Sequence, residues 1–294
     1  MIRSKLAAAI LAVTAALFPA CSGSRSLTVA SKNFTEQLLI GEIVAQHLEH
    51  RLGHPVDRKL NLGGTLLTHQ ALVSGQIDVY PEYTGTALTE ILKDSPSADA
   101  RAVLERVRAG YRDRWRLEWL EPLGFNNTFA MVIPGPEARR LNIATLSQAA
   151  QAKRGWRLGA GYEFVQRHDG LKGLLQVYPL ALEGSPKTMD LGLLYKALEQ
   201  QQVDLVAANS TDGQLSALDV KVLDDDKKYF PPYEAALIVR QQVSEQNPGA
   251  RQAMSELSGK FSDEIMRKLN YEVDGKHRSI AEVAREFLST QRLR

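Results

Sequence analysis

Beyond residue 26 the chain alternates short apolar runs with longer amphipathic ones, and this alternation narrows the folds open to it more than any other feature. Residues 27–31 (Leu-Thr-Val-Ala-Ser) read as a strand. From Thr35 the apolar residues Leu38, Leu39, Ile43, Val44 and Leu48 recur three to four positions apart, the period of one helix face. The rhythm repeats: 56–62 is strand-like, Gly63-Gly64 turns, 65–74 is helical, 76–80 is a strand and 101–115 is a longer helix. Strands alternating with helices predict an α/β lobe whose strand ends feed loops on one side.

A second unit follows residues 124–128. Within it 129–133 is strand-like, Pro134-Gly135-Pro136 breaks the run, 146–152 is helical and 156–161 is a strand ending in small residues. Helices are expected at 171–178 and 188–201, a buried strand at 203–207, and a solvated turn at 224–228, where three Asp precede two Lys. Phe230-Pro231-Pro232-Tyr233 closes this unit, 235–239 is again a strand, and helices at 248–259, 262–269 and 279–290 end the chain. The chain is thus expected to leave one lobe near Asn127 and return near Tyr233, giving residues 27–127 plus 234–294 as lobe 1 and 128–233 as lobe 2. Two crossings between lobes make a hinge with a cleft between them.

Residues 1–20 read as an export signal: Arg3 and Lys5 start it, an almost purely apolar stretch follows, and Pro19-Ala20 precede a cleavage point. The stretch is too short to span a bilayer. Cys21, the lone cysteine, comes next, and residues 21–26 form a short polar tether. Leu17-Phe18-Pro19-Ala20-Cys21 resembles a bacterial lipoprotein signal, which implies acylation of Cys21; plain cleavage after Ala20 is the alternative. Either route places the protein outside the cytoplasm, with no disulfide partner for its thiol. The formal charge of +2 falls to zero without Arg3 and Lys5, and a neutral chain without a basic run argues against a nucleic-acid partner.

The turn Asp78-Val-Tyr-Pro-Glu-Tyr-Thr-Gly-Thr86 is crowded with phenol rings and hydroxyls. Pro81 has no N–H to give a sheet, so the strand is expected to stop near Tyr80 and a helix to begin around Ala87. Tyr83 and Thr86 then sit at a strand-to-helix junction, where α/β proteins favour ligands. Other polar and aromatic residues also follow strands or mark the crossings: Lys32, Asn127, Phe129, Arg167, Asn209 and Tyr233. Singly each has an ordinary reading as a solvated cation or packed ring; together they would face one cleft. His47, His50 and His54 are grouped, but no cysteine or carboxylate pattern completes a metal site, and they are expected at the surface. Cys21 lies in the tether, no Gly-x-Ser-x-Gly occurs, and the glycine pairs lack the spacing of phosphate loops, so neither a catalytic site nor a cofactor is expected.

Residues 31–37 (Ser-Lys-Asn-Phe-Thr-Glu-Gln), 80–86 (Tyr-Pro-Glu-Tyr-Thr-Gly-Thr), Tyr162-Glu163-Phe164, Ser210-Thr211-Asp212-Gly213 and 230–236 (Phe-Pro-Pro-Tyr-Glu-Ala-Ala) together resemble the substrate-binding proteins of osmoprotectant ABC transporters, over essentially the whole chain after the leader. The resemblance implies a two-lobe type II periplasmic-binding-protein fold, a ligand such as glycine betaine, choline or a related quaternary amine, and ABC permease subunits as partners of a monomeric binding protein. It also implies roles. Tyr83, Phe129 and Tyr233 match positions of an aromatic cage, with Phe129 where a tyrosine is usual. Lys32, Thr86 and Arg167 match carboxylate-binding positions. Asn209 falls where a fourth cage aromatic is expected.

A quaternary ammonium has no N–H, so ring faces are its natural partners, each worth roughly 0.5–2 kcal/mol. A carboxylate instead suits the two parallel donors of a guanidinium, a lysine charge and a hydroxyl. Losing one ring at Asn209 should cost about 2- to 30-fold in affinity unless another ring substitutes. Carnitine, proline betaine or ergothioneine are therefore alternatives to glycine betaine. Choline ranks lower because it would leave Lys32 and Arg167 unpaired, and a secreted enzyme acting on choline- or betaine-bearing substrates is the rival from another class.

Overall fold

The computed structural model describes residues 26–152 and 154–294; the leader and Cys21 lie outside the described residues. Four strands open the first sheet: β1 (Thr28–Ala30), β2 (Asp57–Lys59), β3 (Val79–Tyr83) and β4 (Leu117–Trp119). The chain then builds a second sheet from β5 (Phe129–Pro134), β6 (Leu158–Ala160), β7 (Lys187–Thr188), β8 (Leu205–Asn209) and β9 (Val220–Val222), and returns to the first as β10 (Ala235–Arg240). The orders are β2-β1-β3-β10-β4 and β7-β6-β8-β5-β9. Each sheet has a parallel part and one antiparallel insertion, β10 against β3 and β4 in the first, β5 against β8 and β9 in the second. The antiparallel strand is in both cases the one that crosses over, so the crossings emerge beside the parallel strands' carboxyl ends, where loops gather.

Helix α1 (Thr35–Leu52) buries Leu39, Ile40, Ile43, Val44 and Leu48 almost completely against β1 and the helices that end the chain. It stops where Gly53 adopts the left-handed conformation (φ 73°) and donates its N–H to the Glu49 carbonyl. Helix α2 (Thr65–Val73) starts at the Gly63-Gly64 turn and packs Leu72 into the core under β3. The second sheet has its own cores, one around Trp156, Phe164 and Tyr178, the other around Leu194, Leu198 and Val206. Each sheet therefore organises a separate hydrophobic interior.

Several expectations need correction. β3 does not stop at Tyr80 but runs through Pro81 to Tyr83. Pro81 lies opposite Leu237, whose carbonyl accepts from the Leu120 N–H on the β4 side, so β10 asks no bond of Pro81. On its other side the pairing with β1 ends at Val79, and the missing N–H costs the sheet nothing. The helix after it starts at Thr84 rather than Ala87. Thr188, expected in a helix, belongs to the two-residue strand β7, and the short strands β4 and β9 carried too few alternating residues to stand out. The acidic turn is more than a solvated loop: Asp225 accepts from the Tyr178 hydroxyl and from the backbone N–H groups of Tyr229 and Phe230. His47, expected at the surface, is fully buried, with Nδ1 2.9 Å from the Leu293 carbonyl and Nε2 3.1 Å from Glu256. No helix among the described residues is long and apolar enough to cross a membrane.

Candidate functional site

The junction between the two sheets gathers two cation-ring-carboxylate clusters. The first is built on lobe 1. Lys32 leaves the end of β1 and runs inward, placing Nζ 2.6 Å from Glu82 Oε1, 3.3 Å from Thr65 Oγ1 and 4.8 Å from the centre of the Tyr83 ring. Period-two alternation along β3 sends Tyr83 to the opposite face from Glu82, toward α1. There its hydroxyl donates to Glu36 Oε1 at 2.6 Å. Glu36 also accepts from Asn127 Nδ2 (2.8 Å), Asn270 Nδ2 (3.2 Å) and the Thr211 hydroxyl. Its carboxyl is nonetheless pushed up, because burial outweighs these four donors.

The second cluster lies where the two crossings meet lobe 2. Phe129 begins β5 and Tyr233 ends the return segment before β10; their rings meet edge-on at 5.9 Å. The Arg167 guanidinium carbon stands 5.1 Å from the Phe129 ring centre and 5.8 Å from that of Tyr233. Asp169 grips the same guanidinium through two bonds, Nε to Oδ1 at 2.8 Å and Nη2 to Oδ2 at 2.6 Å. Its Oδ2 accepts further from the Tyr233 hydroxyl (2.6 Å) and, across the lobes, the Thr89 hydroxyl (2.9 Å). Burial would raise the Asp169 carboxyl, but Arg167 and these hydroxyls prevail and hold it below the usual carboxylate range. Burial and the neighbouring carboxylates push the Tyr83 and Tyr233 phenols well up, so both remain protonated donors.

The structure gathers the side chains of Lys32, Tyr83, Asn127, Phe129, Arg167 and Tyr233 near this junction, but not into one ring of aromatics, while Thr86 and Asn209 are placed beside it through their backbone neighbours. Among the described residues Tyr83 stacks with Phe34 at 6.4 Å, whereas Phe129 is surrounded by Phe164 (4.9 Å), Phe230 (5.7 Å) and Tyr233. Thr86 is buried in the turn after Tyr83, and the preceding Gly85 abuts Tyr233 so closely that a Cβ there would lie 2.7 Å from its ring. Asn127 joins Glu36. Asn209 lies opposite Phe129 in the β5–β8 pairing and gives its backbone N–H to Asp212, whose carboxyl burial pushes up to about 7.

Sequence reasoning assigned no role to Glu36, Glu82, Glu163, Asp169, Phe34, Phe164 or Phe230. Six of these lie within the segments that carried the family resemblance, so the signal was present; Asp169 follows Arg167 by two residues and had none. The expectation that choline would strand two unpaired cations does not hold. Lys32 is paired with Glu82 and Arg167 with Asp169, all four side chains nearly or fully buried.

The family model described as the substrate-binding domain of the ABC-type glycine betaine transport system matches residues 25–290. The ergothioneine transport permease/ergothioneine binding protein of Helicobacter pylori is 36% identical over 90% of this chain; the chain spans about half (47%) of that relative. The carnitine transport binding protein of Listeria monocytogenes is 32% identical, with 95% of this chain and 94% of the relative covered. A crystal structure of a glycine betaine/carnitine/choline ABC transporter superposes with a TM-score of 0.76 at 31% identity, covering 91% of this chain and 99% of the other. Its likeness extends over both sheets and both crossings, and accords with a two-lobe, type II periplasmic-binding-protein architecture. With the matched segments, the double crossing and the cation-bearing rings between the lobes, the chain belongs to the family of substrate-binding domains of ABC-type glycine betaine transport systems.

Proposed function

We propose that this protein is the extracytoplasmic binding subunit of an ABC importer and closes on a carboxylated quaternary amine, glycine betaine or a near relative, which it passes unchanged to permease subunits. The observation that carries this reading is the guanidinium of Arg167 resting against both Phe129 and Tyr233, one ring from each crossing. Faces that hold a diffuse cation inside the junction are suited to a methylated ammonium, which needs π density and has nothing to donate. Arg167, Lys32 and Thr86 would serve the carboxylate end, and Phe164 and Phe230 supply ring area near Asn209's strand, where a fourth cage ring is absent.

The lobes divide as residues 27–127 plus 234–294 and 128–233, and closure is a hinge motion about the two crossings. Hydrogen bonds between the lobes support this, among them Thr89 to Asp169, Thr211 to Glu36 and the His168 N–H to Glu90 at 3.2 Å. Ligand contacts drawn from both lobes would favour the shut form. Cys21 is the proposed lipid anchor of a monomer, and Cys21→Ala should move the protein from the membrane fraction to the soluble one.

A second reading has an observation in its favour. Because Lys32 and Arg167 already have carboxylate partners, a quaternary amine without a carboxylate, such as choline, would leave no buried cation alone. Calorimetry with glycine betaine, carnitine, ergothioneine and choline tests both. One-site binding of a carboxylated member, tighter than choline, is expected; tighter choline binding favours the second reading, and silence from all four ligands sinks both.

A further inference from the structure

We propose that Glu163 is the specificity-determining residue that sets the balance between carboxylated and plain quaternary amines, a proposal that rests on the site reading above. Glu163 belongs to the helix Tyr162–Gln166 of lobe 2, yet its carboxylate reaches the lobe 1 wall. Oε1 accepts the Thr65 backbone N–H at the start of α2 at 2.6 Å, and Oε2 lies 3.3 Å from Thr65 Oγ1 and 3.7 Å from Arg167 Nη1. Lys32 Nζ is bonded to the same Thr65 hydroxyl at 3.3 Å. The carboxylate thus occupies the middle of the donors Lys32, Thr65 and Arg167, where the anionic end of a betaine would have to sit. Gly64 makes the approach feasible: a Cβ on it would stand 2.5 Å from Glu163 Oε1.

Charge points the same way. Burial would raise the Glu163 carboxyl, but the charges of Lys32 and Arg167 and the two bonds from Thr65 prevail and hold it below its ordinary value, so it is ionised at neutral pH. Lys32 and Arg167 therefore face three carboxylates, Glu82, Asp169 and Glu163. A ligand carboxylate adds a fourth unless Glu163 withdraws. A plain cation needs no withdrawal and leaves the bond from lobe 2 to Thr65 intact. Of the three carboxylates only Glu163 is free to withdraw, since its side chain is 40% exposed whereas those of Glu82 and Asp169 are 0% and 5% exposed. Glu163 is thus a built-in competitor for one end of the ligand and a latch for ligands that lack that end.

The test is the ratio of choline Kd to glycine betaine Kd, measured by calorimetry on the wild-type chain, Glu163→Gln and Glu163→Ala, with thermal unfolding confirming that each variant folds. Both variants should move the ratio about tenfold toward glycine betaine, the scale of one charge-assisted hydrogen bond gained or lost. A ratio unchanged within twofold, or moved toward choline, overturns the proposal. A wild-type chain that binds neither compound overturns the site reading itself, a result distinguishable from an unmoved ratio.

Discussion

The two cation-ring-carboxylate clusters use the same three components and differ in what assembles them. In the lobe 1 cluster Lys32, Glu82 and Tyr83 all come from strand ends of one sheet, and the ion pair is sealed, with Lys32 2% and Glu82 0% exposed. The lobe 2 cluster takes Arg167 and Asp169 from the junction between the helix Tyr162–Gln166 and the helical turn His168–Lys172, Phe129 and Tyr233 from opposite crossings, and a hydroxyl from Thr89 of the other lobe. The first keeps its ion pair within lobe 1, although its Glu36 also accepts the Thr211 hydroxyl of lobe 2. The second is complete only when the lobes meet, so perturbing it should register in binding, whereas perturbing the first should register in folding.

Lys32→Ala makes the sharpest break between them. It leaves Glu82 as an uncompensated buried charge, and the expected loss is about 3–5 kcal/mol of folding stability by denaturant titration. A loss below about 1 kcal/mol would mean that the lobe 1 wall is not held by this pair. Arg167→Ala also strips a partner from a buried carboxylate, Asp169, so thermal unfolding must confirm that it folds, but its distinguishing effect is expected in binding. Glycine betaine affinity should fall about 10- to 100-fold, the worth of a charged hydrogen-bonding partner, and choline affinity should fall less. Equal losses for the two ligands would remove Arg167 from the carboxylate end.

Tyr233→Ala, which deletes a ring but no charge, should weaken both ligands about 2- to 30-fold. Tyr233→Phe keeps the ring and removes only the donor to Asp169, so it should cost less than the alanine variant; the reverse order would make the hydroxyl, not the π face, the useful part. The remaining effect is a pH dependence of stability from Asp212. Its carboxyl is raised to about 7 by burial, so the folded chain holds a proton that the unfolded chain has already released. Stability from this group is present below about pH 4 and is lost as pH rises toward about 7. Asp212→Asn should flatten that slope in thermal melts across the interval, and an unchanged slope would assign it to other groups.

Legibility in the sequence followed the range of the forces involved. α1 and the helix Ala100–Trp115 were readable because their periodic apolar residues report which face is buried, a local property. β4, β7 and β9, two or three residues each, were not, because a neighbouring strand rather than their own pattern makes them strands. Pro81 misled for the same reason: whether a missing N–H matters depends on which edge it faces.

The residues of the site divide in the same manner. The sequence by itself determined the βα alternation, the double passage of the chain between two lobes, and the short segments that carry the family likeness, since these reside in residue type and order. Only the tertiary structure decided that Lys32 and Arg167 already have buried carboxylate partners, that the aromatic rings form two groups, and that Glu163 reaches over from the other lobe. Pairings between groups fifty to a hundred residues apart depend on how the chain closes on itself, and desolvation at that closure sets which charges must be matched.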